Sequence, residues 1–257
     1  MELRALVTGA SSGIGAAFAR GLRARDAKLI LVARRAERLA ALAQELGGAD
    51  VVTTFPLDLS QPGAPAQLED QLARRGLVVD MLVNNAGVGH TGRFLEEPPE
   101  RILGMIDLND RAAVELARRF VPGMVERGRG VLINVVSTAA FQPVPYLSVY
   151  AATKAFLLSF TEGLANELEG SGVQVQALCP GLTATEFQQR AGTDRVAFNK
   201  TGAATPDEVV AASLHGLDRG RLRVVVGFQN RLTIAAQRFL PQALVRTIGA
   251  KLFAPPD

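Results

Sequence analysis

Short, almost uninterrupted apolar runs alternate along this chain with longer stretches whose apolar residues recur every three or four positions. The runs fall at residues 3–8, 28–33, 51–56, 81–84, 130–136, 174–179 and 223–226. Runs of this length without polar alternation suit strands covered on both faces, as in a parallel sheet. The stretches between them, at 14–25, 36–46, 65–74, roughly 100–127, 149–169 and 207–219, carry helical periodicity. Gly47-Gly48 and Gly170-Ser171-Gly172 stand where helices should stop. Thr205-Pro206-Asp207-Glu208 reads as an N-cap, a proline at the first helical position and a capping glutamate. Alternating strands and helices joined by right-handed crossovers predict an α/β fold: a doubly wound, mainly parallel seven-stranded sheet with helices on both faces. No repeat, linker or break in composition divides residues 1–257, so one domain is expected.

Composition narrows the function classes. Apolar residues make up 48% and charged ones 21%, which suits a compact core and excludes a disordered chain. The net charge of +3 is dispersed, and the chain has no Trp and only two Tyr, so nucleic-acid binding is a weak reading. Cys179 is the single cysteine and the two histidines, His90 and His215, lie far apart, so neither a disulfide framework nor a metal site is expected. Glu2 and Arg4 interrupt the first apolar run, and no stretch of 18 apolar residues follows. The expectation is a cytoplasmic protein without signal peptide or membrane span.

The first chemical signal follows the first strand, where Thr8-Gly9-Ala10-Ser11-Ser12-Gly13-Ile14-Gly15 opens a helix. A dinucleotide's pyrophosphate needs a tight turn, close backbone approach and free N–H groups at a helix N-terminus. Gly9, Gly13 and Gly15 suit that task, and the hydroxyls of Ser11 and Ser12 add donors. The second strand ends at Ala33 and is followed by Arg34-Arg35. An acidic residue there binds the ribose 2′-hydroxyl of NAD, whereas an arginine accommodates the 2′-phosphate of NADP. The acid is missing, which points to NADP, with Arg34 as the first candidate and Arg35 behind it.

The second signal combines Ser137, after the fifth strand, with Tyr150 and Lys154, four residues apart and therefore on one helix face. A free tyrosine titrates near 10, too high for proton exchange at neutral pH. A neighbouring ammonium stabilises the phenolate, and lowering its pKa by about three units takes roughly 4 kcal/mol. Taken alone such a pair is usually just a helix surface pair; Tyr150 as acid or base for hydride transfer between a cofactor and a carbonyl or alcohol, with Ser137 as second donor to the oxyanion, is what resemblance over a wider set of motifs implies.

Thr8-Gly9-x-x-x-Gly13-x-Gly15, Asn84-Asn85-Ala86-Gly87, Asn109, Ser137, Tyr150-x-x-x-Lys154 and Pro180-Gly181, in this order, closely resemble the short-chain dehydrogenase/reductase family over about residues 1–190. The resemblance implies a single Rossmann-type domain and a catalytic set of Asn109, Ser137, Tyr150 and Lys154. It implies that Tyr150 protonates the nascent alkoxide, and that Lys154 binds the nicotinamide ribose and depresses the tyrosine pKa. Ser137 would bond the carbonyl oxygen, and Asn109 would hold a proton-relay water. The cofactor contacts implied are Gly9, Ser11, Ser12, Gly13, Ile14 and Gly15 at the phosphates, with Arg34 and Arg35 beyond them. Asp58 and Leu59 would touch the adenine, and Asn85, Ala86 and Gly87 the adenosine ribose. Tyr150 and Lys154 would meet the nicotinamide ribose, and Pro180, Gly181 and Thr185 would flank the carboxamide. A non-catalytic NADP-binding sensor on the same fold is the competing reading, disfavoured because it needs no catalytic quartet.

The remaining signals are coarser. A polar, Gly-containing lid is expected at 187–204, and Phe94, Phe141, Val144, Leu147, Leu182 and Phe187 are candidate walls of an apolar pocket. Residues 230–253 read as two amphipathic helices broken at Pro241, a cap over the cleft or a subunit contact in preference to a basic helix lying on a membrane. The long apolar face of 149–168 suits a homodimer or homotetramer. Cys179 and His215 read as structural, and His90 as an exposed loop histidine that could touch substrate. Asn134 reads as a brace between strand ends.

Overall fold

A computed structural model of the chain describes residues 3–192, 202–237 and 239–254. Seven strands form one parallel sheet in the order β3-β2-β1-β4-β5-β6-β7. They are β1 (Arg4–Thr8), β2 (Lys28–Ala33), β3 (Val52–Pro56), β4 (Met81–Asn84), β5 (Gly130–Val135), β6 (Val173–Cys179) and β7 (Arg223–Val225). The unbroken apolar runs have a direct cause. Ala5, Val7, Leu29 and Leu31 point to one face, where they meet Phe18 and Leu22 of α1 (Gly13–Arg23) and Val210 and Leu214 of α8 (Pro206–Leu217). Their neighbours Leu6, Ile30 and Val32 point to the other. There they meet Leu68 of α3 (Ala64–Arg74) and Leu116 and Met124 of α5 (Ala112–Glu126). Each fully buried leucine contributes roughly 1.5–3 kcal/mol, so both layers hold the sheet against its helices.

Local signals act as their chemistry dictates. Thr205 caps α8 through a reciprocal capping box with Glu208. α2 (Ala36–Glu45) ends ahead of Gly47 and Gly48, both at positive φ. One expected element is different: the helix at 100–127 divides into α4 (Pro99–Ile106), a π-helical turn at Asp107–Arg111, and α5. Periodicity alone reads straight through such a turn, because the extra residue shifts the apolar stripe without ending the helix. The lid region contains α7 (Glu186–Ala191), capped by the Thr185 side chain. Residues 193–201 of the expected lid lie outside the described residues. At the C-terminus two helices, α9 (Phe228–Gln237) and α10 (Gln242–Phe253), flank Pro241. Among the described residues no helix is long and apolar enough to cross a membrane.

Candidate active site

β1 and β4 are neighbours although two strands separate them in sequence, so the sheet changes winding direction between them. The loops at their carboxyl ends diverge there, and open α/β sheets bind ligands in that crevice. Here it is a cleft of about 1100 Å³. It runs from the Gly9–Ile14 loop past Ser137, Tyr150 and Lys154 to the inner sides of α9 and α10.

Thr8 ties the crevice together. Its hydroxyl donates to the Val83 carbonyl at 3.2 Å and accepts from the amides of Asn85 and Ala86 at 2.9 Å each. Asn85 returns an amide hydrogen to the Thr8 carbonyl at 2.8 Å. The two loops therefore lie so close that a Cβ at Gly15 would overlap the Gly9 carbonyl, and one at Gly9 would meet Asn85 Nδ2 at 2.8 Å. Gly9 and Gly13 have φ of +66° and +55°, which L side chains rarely adopt. The bare backbone, with Ser11 and Ser12 beside it at the start of α1, is a cradle of the size and polarity a pyrophosphate needs.

The arginine pair divides its labour differently from the sequence expectation. Arg34, the first candidate, stands at the rim, 62% exposed, with Asp58 at 3.8 Å. Arg35 reaches inward: Nη2 donates to the hydroxyls of Ser11 and Ser12 at 2.9 and 2.8 Å, and Nη1 to Glu186 at 3.0 Å. The N-cap conformation of Arg35 before α2 turns its side chain toward the glycine loop. Glu186 also pairs with Arg38 and Arg190, and hydrogen bonds from Arg38 and Arg35 hold its carboxyl far below the usual range, at about 2. Leu59, Asn85, Ala86, Gly87, Pro180, Gly181 and Thr185 all line the same cleft. Gly15 lies behind the loop, against Gly9.

Ser137 caps a short 3-10 turn, Thr138–Phe141, with its hydroxyl accepting from the Ala139 amide at 3.1 Å. α6 (Ser148–Glu167) brings Tyr150 and Lys154 to the cleft floor on one face, both buried. Lys154 Nζ lies 5.8 Å from the Tyr150 ring centre and donates to the Val135 carbonyl at 2.9 Å. Phe187 covers the tyrosine with ring centres 5.4 Å apart. The chain's own groups do not lower the tyrosine pKa. Burial pushes Tyr150 up to about 12, and hydrogen bonding with Ser137 only partly opposes it. Burial also pulls Lys154 down to about 8, so the lysine's own desolvation limits its help.

Asn109 sits in the π-helical turn and has no free side-chain atom. Its Oδ1 accepts from the Val88 amide at 2.9 Å; its Nδ2 donates to the Val88 carbonyl at 2.9 Å and to Thr153 at 3.0 Å. It clamps the 85–88 loop to α6, and Gly87 thereby passes beside Lys154. Behind the site Asn134 accepts from Asn84 at 3.0 Å and donates to Thr161 at 2.8 Å, the brace its position suggested.

Two expected pocket walls are elsewhere. Phe94 is 58% exposed, and Phe141 packs beneath the Arg223 guanidinium. Both lie in short 3-10 turns, whose tight winding turns these rings away from the cleft. Val144, Leu147, Leu182 and Phe187 do line it. His90 is not an exposed loop residue: it lines the rim and bonds Glu97 at 2.6 Å. Sequence reasoning missed Glu186, whose acidic character opposite an arginine pair was the available signal. It also missed Asn230, which packs against Gly181, and Met105 on the apolar wall. Cys179 is fully buried with its thiol pushed up to about 12, which leaves it unreactive.

Asp110, next to Asn109, is half-buried with one buried oxygen that has no hydrogen-bond partner, and desolvation raises its pKa to about 7. A carboxyl raised in the folded state stabilises the fold below its unfolded value near 4 and loses that contribution as pH rises through 7. Asp110→Asn should therefore melt close to wild type at acid pH and above it in alkali. Discounted for its solvent access, the gain is about 1–2 kcal/mol, or roughly 2–8 °C. Thermal melts across that pH range check this; a variant less stable than wild type in alkali would refute it.

The comparisons agree with this geometry. Residues 4–196 match the short chain dehydrogenase family. The chain is 38% identical over 218 residues to the NADP-dependent 3-hydroxy acid dehydrogenase YdfG of Salmonella typhi, covering 80% of this chain and 86% of that protein. Among solved structures it resembles a short-chain dehydrogenase from Sphingobium yanoikuyae in complex with NADPH, at 37% identity and TM-score 0.81, over 94% of this chain and 97% of the other. It also resembles the bulky-bulky ketone specific alcohol dehydrogenase from Comamonas testosteroni, at 31% identity and TM-score 0.77, over 95% and 93% of the two chains. A parallel sheet with a glycine cradle at its switch point, and a serine beside a buried tyrosine and lysine beyond it, thus belongs to a chain of the short-chain dehydrogenase family of oxidoreductases.

Proposed function

We propose that this protein is an NADP-dependent carbonyl reductase, or in reverse an alcohol dehydrogenase, acting on an apolar ketone or secondary alcohol. The observation that carries the reading is a single cleft with the glycine cradle and Arg35 at one end and Ser137, Tyr150 and Lys154 at its centre. NADP would lie across the cradle, with its 2′-phosphate toward Arg35 and Arg34, and supplies or accepts the hydride when bound. The names of the Salmonella and Sphingobium relatives support that cofactor.

Tyr150 is the proton donor. Its high pKa keeps the hydroxyl protonated at neutral pH, the form needed when a carbonyl oxygen becomes an alkoxide. Ser137 gives the same oxygen a second hydrogen bond, so developing negative charge meets two fixed dipoles. The Lys154 ammonium adds a positive potential beneath them. Asn109 positions the loop that walls the lysine, a role for its side chain distinct from holding a water. Asp58, Leu59, Asn85, Ala86, Gly87, Pro180, Gly181 and Thr185 would enclose the dinucleotide.

The substrate class follows from the wall beyond Tyr150. Met105, Val144, Leu147, Phe187, Leu252 and Phe253 face that part of the cleft, and apolar groups gain about 0.8 kcal/mol per buried methylene, roughly fourfold in binding. With NADPH in excess, kcat/KM over a series of methyl ketones should rise with chain length by a few-fold per methylene until the cleft is filled. A preference for short hydroxy acids over long ketones would sink the substrate assignment, and no turnover of any carbonyl would sink the reaction.

A further inference from the structure

α9 and α10 are apolar on two sides, and only one side is accounted for by the cleft. Val245, Gly249 and Phe253 are buried on the inner side, with Gly249 against Pro145. Phe228, Phe239 and Leu244, which do not line the cleft, are 77%, 89% and 46% exposed, and Leu232, Leu240 and Ile248, at its edge, are 61%, 40% and 45% exposed. Scattered exposed leucines are ordinary; six large apolar side chains within 21 residues, on two successive helices and the turn between them, are a patch.

Charge selects what covers it. Between Asp218 and Asp257 the sequence has no acidic residue, while 228–254 carries Arg231, Arg238, Arg246 and Lys251. Arg231, Arg246 and Lys251 are exposed, and none pairs with a carboxylate among the described residues. A second copy docked by two-fold symmetry would bring this cationic patch against itself with no counter-charge. A surface combining apolar insertion with negative charge fits instead.

We propose that α9 and α10 dock this protein on an anionic lipid surface. The apolar side chains enter at the headgroup boundary, and Arg231, Arg246 and Lys251 meet the lipid phosphates. Leu232, Leu240 and Ile248 are at once on the patch and on the cleft wall, so the docked face opens directly onto the cleft. The surface stands independently of the redox reading, since it rests on exposure and charge alone.

Co-sedimentation of the full chain with vesicles tests it, using phosphatidylcholine alone and phosphatidylcholine mixed with phosphatidylglycerol. Binding is expected to the mixed vesicles only, with release by raised salt. The double variant Arg246→Gln/Lys251→Gln should lose roughly 25-fold in partitioning, at about fivefold per cation. Phe239→Ser/Leu244→Ser should abolish binding. None of these four residues lines the cleft, so both variants should turn over a water-soluble ketone as the wild type does, which separates failure here from failure of the enzyme assignment. Absence of binding to the mixed vesicles, or equal binding to both, overturns the proposal. So does a dimer, seen by light scattering, that Phe239→Ser/Leu244→Ser converts to monomer.

Discussion

Tyr150→Phe is expected to lower kcat for carbonyl reduction by about 10²- to 10⁴-fold, the span covered by a positioned proton donor, while NADPH affinity changes little. The ring is buried against Phe187 and fits its site without the hydroxyl, so folding should survive the change. The variant therefore isolates proton transfer from packing. Ser137 alone would remain as a donor to the substrate oxygen, and its ordinary hydroxyl releases a proton far less readily. Steady-state kinetics beside NADPH fluorescence titration make the comparison. A variant that keeps more than a tenth of wild-type kcat would remove Tyr150 as the proton donor and require another group in that role.

The second large effect concerns the cofactor. Arg35→Ala should weaken NADPH binding by roughly 10- to 150-fold, from loss of charge-assisted hydrogen bonds worth about 1.5–3 kcal/mol. NADH affinity should stay within a few-fold. Arg34→Ala should cost less, because its guanidinium is 62% exposed and water competes for it. NADH is the necessary control, since Arg35 also joins the Ser11 and Ser12 hydroxyls to Glu186. If its removal merely loosened the cradle, both dinucleotides would lose affinity together, and equal loss would refute a 2′-phosphate role.

Much of this arrangement was legible in the residues. The glycine spacing after β1, the missing acid after β2 and the Tyr150–Lys154 interval each reflect a local demand: a backbone that a Cβ would block, a charge that must match, or one helical turn. Local demands leave local marks. The C-terminal pair of helices was legible for the same reason, as Pro241 and a repeating apolar stripe suffice to predict it. Where the pattern misled, the cause was position in space. Phe94 and Phe141 are as apolar as Phe187, yet only Phe187 meets the tyrosine.

By itself the sequence determined the elements along the chain: seven buried runs, helices between them, a phosphate-sized glycine turn and a tyrosine one helical turn from a lysine. These follow from periodicity and steric limits that act within a few residues. The tertiary structure alone decided the electrostatics. It placed Arg35 rather than Arg34 on the serines, brought Glu186 across 151 positions to meet it, and buried Tyr150 so deeply that its pKa rises to about 12. Desolvation and charge pairing depend on what surrounds a group in space, and the surroundings here come from loops that only the assembled sheet brings together.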